Sequence, residues 1–149
     1  MRISFVPPPL YFAAAFLPGV ALDRWLALPL ALPHWTPGLA WILLSVSALF
    51  AGSTFYVLHS ARTTIRPDLP PTVFISSGPF RFTRNPMYLA LVFLHLGLAL
   101  LFRLLWPILL LPFAIWLLQV RIISGEERQL RLRFGDDYAL YCRHVRRWI

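Results

Sequence analysis

Residues 38–58 run for 21 positions without a charged side chain. At 1.5 Å of rise per residue such a helix is about 30 Å long, the thickness of a bilayer's hydrocarbon core. A soluble fold has few places to bury a helix that is apolar all round. Three further apolar runs cover residues 8–22, 86–102 and 104–123. Composition agrees: 58% of the 149 residues are hydrophobic and 13% are charged, against about 25% charged in soluble domains. The predicted fold class is therefore all-α: a polytopic membrane protein with four transmembrane helices, in a single domain spanning 1–149.

The intervals between the runs have their own character. The first run carries Pro18-Gly19 and ends at Asp23-Arg24, a water interface. Trp25 and Trp35 follow, as expected of an aromatic belt. Pro7-Pro8-Pro9 and the lack of a small-x-small cleavage site predict that this first run is retained as a span. Residues 59–85 lose apolar periodicity and gain prolines and arginines, which marks a loop with a turn at Ser77-Gly78-Pro79. Loops of that length are usually functional. Pro86 suits the first turn of the third helix, with Asn85 as its N-cap. The third and fourth runs, separated by Arg103 alone, form a tight hairpin. The tail, 124–149, is polar with a helical pattern; Gly135 reads as a helix stop and Asp136 or Asp137 as the cap of a last helix.

The charge is +8, and all fourteen cations are Arg. They flank apolar runs, so membrane surface explains them better than nucleic acid does. With the first residues inside, Arg2, four loop arginines and seven from Arg121 to Arg147 face the cytoplasm, against Arg24 and Arg103 outside. Twelve against two is a strong positive-inside bias. It predicts an integral membrane protein, of the bacterial inner-membrane type, with both ends cytoplasmic. The single cysteine, Cys142, excludes an internal disulfide and supplies no metal-ligand spacing.

The hairpin topology carries the loop and the tail to one membrane face. The loop reads Gly78-Pro79-Phe80-Arg81-Phe82-Thr83-Arg84-Asn85-Pro86-Met87-Tyr88, and the tail Glu126-Glu127 followed by Phe134-Gly135-Asp136-Asp137-Tyr138-Ala139-Leu140-Tyr141. These two stretches, in this order around a hairpin, resemble the paired signatures of integral-membrane methyltransferases, the isoprenylcysteine carboxyl methyltransferase and phospholipid N-methyltransferase group. The resemblance covers roughly residues 62–148. It implies S-adenosylmethionine as methyl donor, S-adenosylhomocysteine as product, and an acceptor arriving from the lipid bilayer: an isoprenylcysteine-type carboxylate, a phospholipid amine or a small hydrophobic molecule. By position it implies cofactor-binding roles for Phe80, Arg84, Asn85, Pro86, Met87, Tyr88, Glu126 and Glu127, and for Thr72, Val73, Phe74 and Ile75 as pocket lining. Arg121 stands one position away from a substrate-orienting Arg of the group. Ala90 and Arg62 replace glycines that the group often carries.

The chemistry of such a donor suits these side chains. A carboxylate accepts from a ribose diol or an ammonium, a guanidinium clamps a carboxylate, and aromatic faces attract a soft cation. His95, the one strongly polar side chain within the third run, reads either as an interhelical hydrogen-bonding group or as an acceptor-site base. Adjacent acids such as Glu126 and Glu127 also suit a helix's first turn with no further role. Two rival functions follow from the same helices: a non-enzymatic scaffold or accessory subunit, and a reductase using a nicotinamide. The ordered double motif favours the methyltransferase, with no obligate protein partner.

Overall fold

The computed structural model describes residues 6–29, 32–61 and 74–149. They form five α-helices and, among the described residues, no strand. Helix α1 is Pro8–Trp25, α2 Thr36–Ser60, α3 Pro86–Leu101, α4 Leu105–Leu118 and α5 Ser124–His144. A short 3-10 turn, Gly78–Arg81, precedes α3, and a π-helical turn, Gln119–Ile123, joins α4 to α5.

Helix α3 packs along α2 and touches α4, and α1 packs along α4. Small residues allow the close approaches. A β-carbon added at Gly19 of α1 would lie 2.7 Å from the backbone nitrogen of Pro107 in α4. Between α2 and α3, the Ser47 hydroxyl donates to the Ala90 carbonyl at 2.7 Å. The core joins Phe12 and Ala15 of α1, Tyr88 of α3, Leu111, Ala114 and Leu118 of α4, and Ile122 and Ile123.

The outside is apolar. Trp41, Ile42, Leu49 and Phe55 of α2 are exposed, as are Leu109, Phe113 and Trp116 of α4. Exposed apolar bands of this kind need lipid or a partner to cover them. Two helical stretches, Thr36–Ser60 and Leu105–His144, are long and apolar enough to cross a membrane, and Pro86–Leu101 is a shorter apolar helix.

The α3–α4 turn is as tight as the lone Arg103 requires. Arg103 adopts φ 57°, a left-handed conformation usually left to glycine, and the Leu104 N–H returns to the Ala99 carbonyl at 2.8 Å. At the same end, the Asp23 carboxylate accepts from the N–H groups of Leu105 (3.3 Å) and Trp106 (3.1 Å), satisfying the first turn of α4. Asp23 lies inside α1, which runs three residues beyond its expected end.

The tail breaks where expected: Gly135, at φ 47° and ψ −118°, interrupts the helical backbone, so α5 is two helical segments joined across a kink. A residue without Cβ tolerates that conformation at little cost.

Candidate functional site

The site grows from the turn that launches α3. Pro86 occupies the first helical position, where its missing N–H costs nothing. Asn85 holds the N-cap position, but its side chain caps nothing in α3. Its Nδ2 instead donates to the Arg147 carbonyl at 2.9 Å. The fully buried Thr83 hydroxyl donates to that same carbonyl at 3.1 Å and accepts from the Asn85 N–H at 3.2 Å. The Arg84 N–H donates to the Arg146 carbonyl at 3.0 Å. In place of a cap, the Asn85 side chain makes a tertiary tie, its amide donating to the segment that returns from α5.

Helix α5 brings Glu126 and Glu127 in its first turn. The hydroxyl of the buried Tyr88 donates to Glu126 Oε1 at 2.6 Å. Removal from water pushes the Glu126 carboxyl up to about 7; the neighbouring Glu127 charge adds to this, and the Tyr88 hydrogen bond opposes it. Glu127 has different partners. Arg84 Nη1 reaches its Oε1 at 3.2 Å, and Arg147 grips both oxygens, Nε to Oε1 at 2.8 Å and Nη2 to Oε2 at 2.6 Å. These hydrogen bonds hold Arg147 above its ordinary basicity. Arg84 Nη1 also lies 3.0 Å from Cys142 Sγ, while its buried Nε has no partner among the described residues.

An aromatic wall completes the site. Phe74 packs on Phe134, Tyr138 and Tyr141 of α5, with ring centroids 5.3–6.0 Å apart. The Tyr141 hydroxyl donates to the Phe80 carbonyl at 2.6 Å, and burial pushes Tyr141 up to about 12.

The structure therefore brings Arg84, Tyr88, Glu126 and Glu127 together as two hydrogen-bonded groups on adjacent acids, Tyr88 with Glu126 and Arg84 with Glu127, and ties Asn85 and Phe80 to their edges. Pro86 is buried and Met87 half-buried in the same first turn of α3. Phe74 faces α5, and Ile75 borders a cavity of about 460 Å³ with Tyr56, Val57 and Ser60 at the end of α2. Thr72 and Val73 lie outside the described residues. Arg121 is exposed on the π-helical turn and is not joined to either acid. His95 sits seven residues along α3 from Tyr88, about 10 Å away. Its Nε2 meets the Pro107 carbonyl at 2.9 Å, and Phe12 and Phe16 flank its ring edge-on. Thr83 and Tyr141 stand within the two motif stretches without a role assigned from sequence, and Arg147 lies outside both. Arg147 reads there as one more positive-inside charge, and only its spatial return to Glu127 distinguishes it.

An all-helical chain with lipid-facing bands and a polar cluster at one end of its bundle defines a helical membrane protein with a built site at its rim. The phospholipid methyltransferase family matches residues 35–137, more than half of the chain. The chain belongs to that family and is accordingly a methyltransferase of the membrane. No curated protein and no solved structure matches it.

Proposed function

We propose that this protein transfers a methyl group from S-adenosylmethionine to a lipophilic acceptor at the cytoplasmic face of the membrane, within a four-span bundle whose two ends are both cytoplasmic. The observation that carries the reading is the Tyr88–Glu126 contact of 2.6 Å, which unites the two motif stretches in one site.

The residues fit the donor. Among the described residues, Glu126 has one oxygen bonded to Tyr88 and the other free to accept from a ribose hydroxyl or an ammonium. The buried Nε–H of Arg84, unpartnered among the described residues, suits a ligand carboxylate. The rings of Phe80 and Tyr88 suit a sulfonium. When bound, S-adenosylmethionine supplies a methyl group on a cationic sulfur that departs as a neutral thioether. The protein's share is alignment and exclusion of water, and alignment alone is worth about 7–11 kcal/mol. A carboxylate acceptor needs no base. For an amine or thiol acceptor, the buried Nδ1 of His95, which has no partner among the described residues, is our candidate proton acceptor. To Arg121, exposed at the rim, we assign the orienting of the acceptor.

Calorimetric titration of S-adenosylhomocysteine into detergent-solubilised protein tests this. Saturable binding is expected, weakened at least tenfold in Glu126→Gln and Tyr88→Ala variants that keep the wild-type melting profile. Absence of saturable binding to the wild type overturns the reading.

A further inference from the structure

The segment after α5 does more than end a helix. Val145 leaves α5 in extended conformation, φ −118° and ψ 127°. The chain then passes the start of α3, and its carbonyls accept from three motif residues: Arg146 from the Arg84 N–H, and Arg147 from both the Thr83 hydroxyl and the Asn85 amide. Trp148 packs against the helical core, and its indole N–H reaches Gln119 Oε1 at 3.3 Å. Residues 145–149 are thereby tied to the α3 start, the π-helical turn and the α5 start together.

Arg147 closes this strap through Glu127. That carboxylate faces two guanidiniums and its side chain is 12% exposed, so its lone pairs are committed within the protein. Glu126, one residue earlier and about 100° around the helix, is bonded among the described residues to Tyr88 alone. Holding Glu127 fixes the rotation of the first turn of α5 and hence the direction of Glu126. The Gly135 kink separates the first half of α5 from the second, and the Arg147–Glu127 contact ties the chain beyond the second half back to the first.

We propose that residues 145–149 are a positioning strap for the site and that Arg147, through Glu127, is a positioning residue that aims Glu126 at the donor. The division of labour between the acids follows: Glu126 meets the ligand and Glu127 secures the strap. The strap lies beyond the residues matched by the family, 35–137. The assignment of Glu126 as ligand-binding rests on the function proposed above; the strap itself does not.

Two measurements test the proposal separately. In ligand-free protein, Glu127→Gln keeps every arginine but loosens the Arg147 grip, and trypsin cleavage after Arg146 and Arg147 is expected to quicken about fivefold. Unchanged cleavage overturns the strap whatever the protein binds. For S-adenosylhomocysteine, Arg147→Ala and Glu127→Gln are each expected to weaken binding about tenfold. The double variant is expected to be no weaker than either single, and Arg147→Lys to recover part of the loss. Exposed Arg128 provides a control, and Arg128→Ala is expected to bind as wild type. Wild-type affinity in Arg147→Ala overturns the positioning role while leaving the methyltransferase reading intact. No binding to the wild type overturns the aim of Glu126 together with that reading.

Discussion

Two carboxylates adjacent in sequence behave as different chemical groups because their partners differ. Glu127 is held by two guanidiniums, whereas Glu126 is drawn out of water beside one phenol. The groups facing Glu126 are Tyr88 from α3 and Glu127 on its own helix, with Arg84 and Arg147 beyond Glu127. Its carboxyl, raised from an ordinary 4.5 to about 7, favours the proton in the folded state. The stability it contributes is present below about pH 4.5 and is lost as pH rises through 7. Ligand binding has the opposite sign, since the carboxylate is the better acceptor for a ribose diol. We expect S-adenosylhomocysteine affinity to rise as pH goes from about 6 to 8 and Glu126→Gln to flatten that profile. A pH-independent wild-type titration would remove Glu126 from the ligand. Sequence could mark both acids as a pair; it could not show that one was already committed, since Arg147 is twenty residues away.

At the scale of elements, helix contacts in this fold depend on small residues more than on apolar ones, because lipid leaves little hydrophobic difference between neighbour and solvent. Gly19 is the sharpest case. A methyl group there meets the backbone nitrogen of Pro107 at 2.7 Å, and backbone cannot swing aside. Gly19→Ala is expected to cost about 1–3 kcal/mol and lower the melting temperature in detergent. Gly38→Ala, where an added β-carbon meets nothing within 4 Å, is expected to be neutral or mildly stabilising. Equal melting temperatures for the two would refute the close α1–α4 contact. Runs and breaks of hydropathy reveal α1 to α4 well. They do not reveal that α4 continues through a π-helical turn into α5, because the seam at Gln119–Ile123 has no residue that signals it.

For the whole molecule, the arginine distribution predicts orientation. Among the described residues, nine arginines lie on the segments that carry the site and two, Arg24 and Arg103, at the opposite end, and the surface potential and insertion machinery of a cell favour arginine inside. In Cys142→Ser protein within intact cells, a cysteine at Ala27 is expected to react with a membrane-impermeant maleimide. A cysteine at Ser76 is expected to react only after permeabilisation; both positions are exposed. The reverse pattern would place the site on the outer face and exclude a cytoplasmic methyl donor.

Apolar run length, proline and glycine placement, and the two motif stretches were enough to establish the helical class, the hairpin between α3 and α4, and the family. Those features are local: each rests on the chain's own dihedral preferences or on contact with lipid. The contents of the site were decided by tertiary structure. Asn85 abandons its cap for the Arg147 carbonyl, Glu127 finds Arg84 and Arg147, and Glu126 finds Tyr88, across separations of 20 to 62 residues. Hydrogen bonds over such distances exist only once the helices are packed, because packing alone brings their donors and acceptors within hydrogen-bonding distance and out of water's competition.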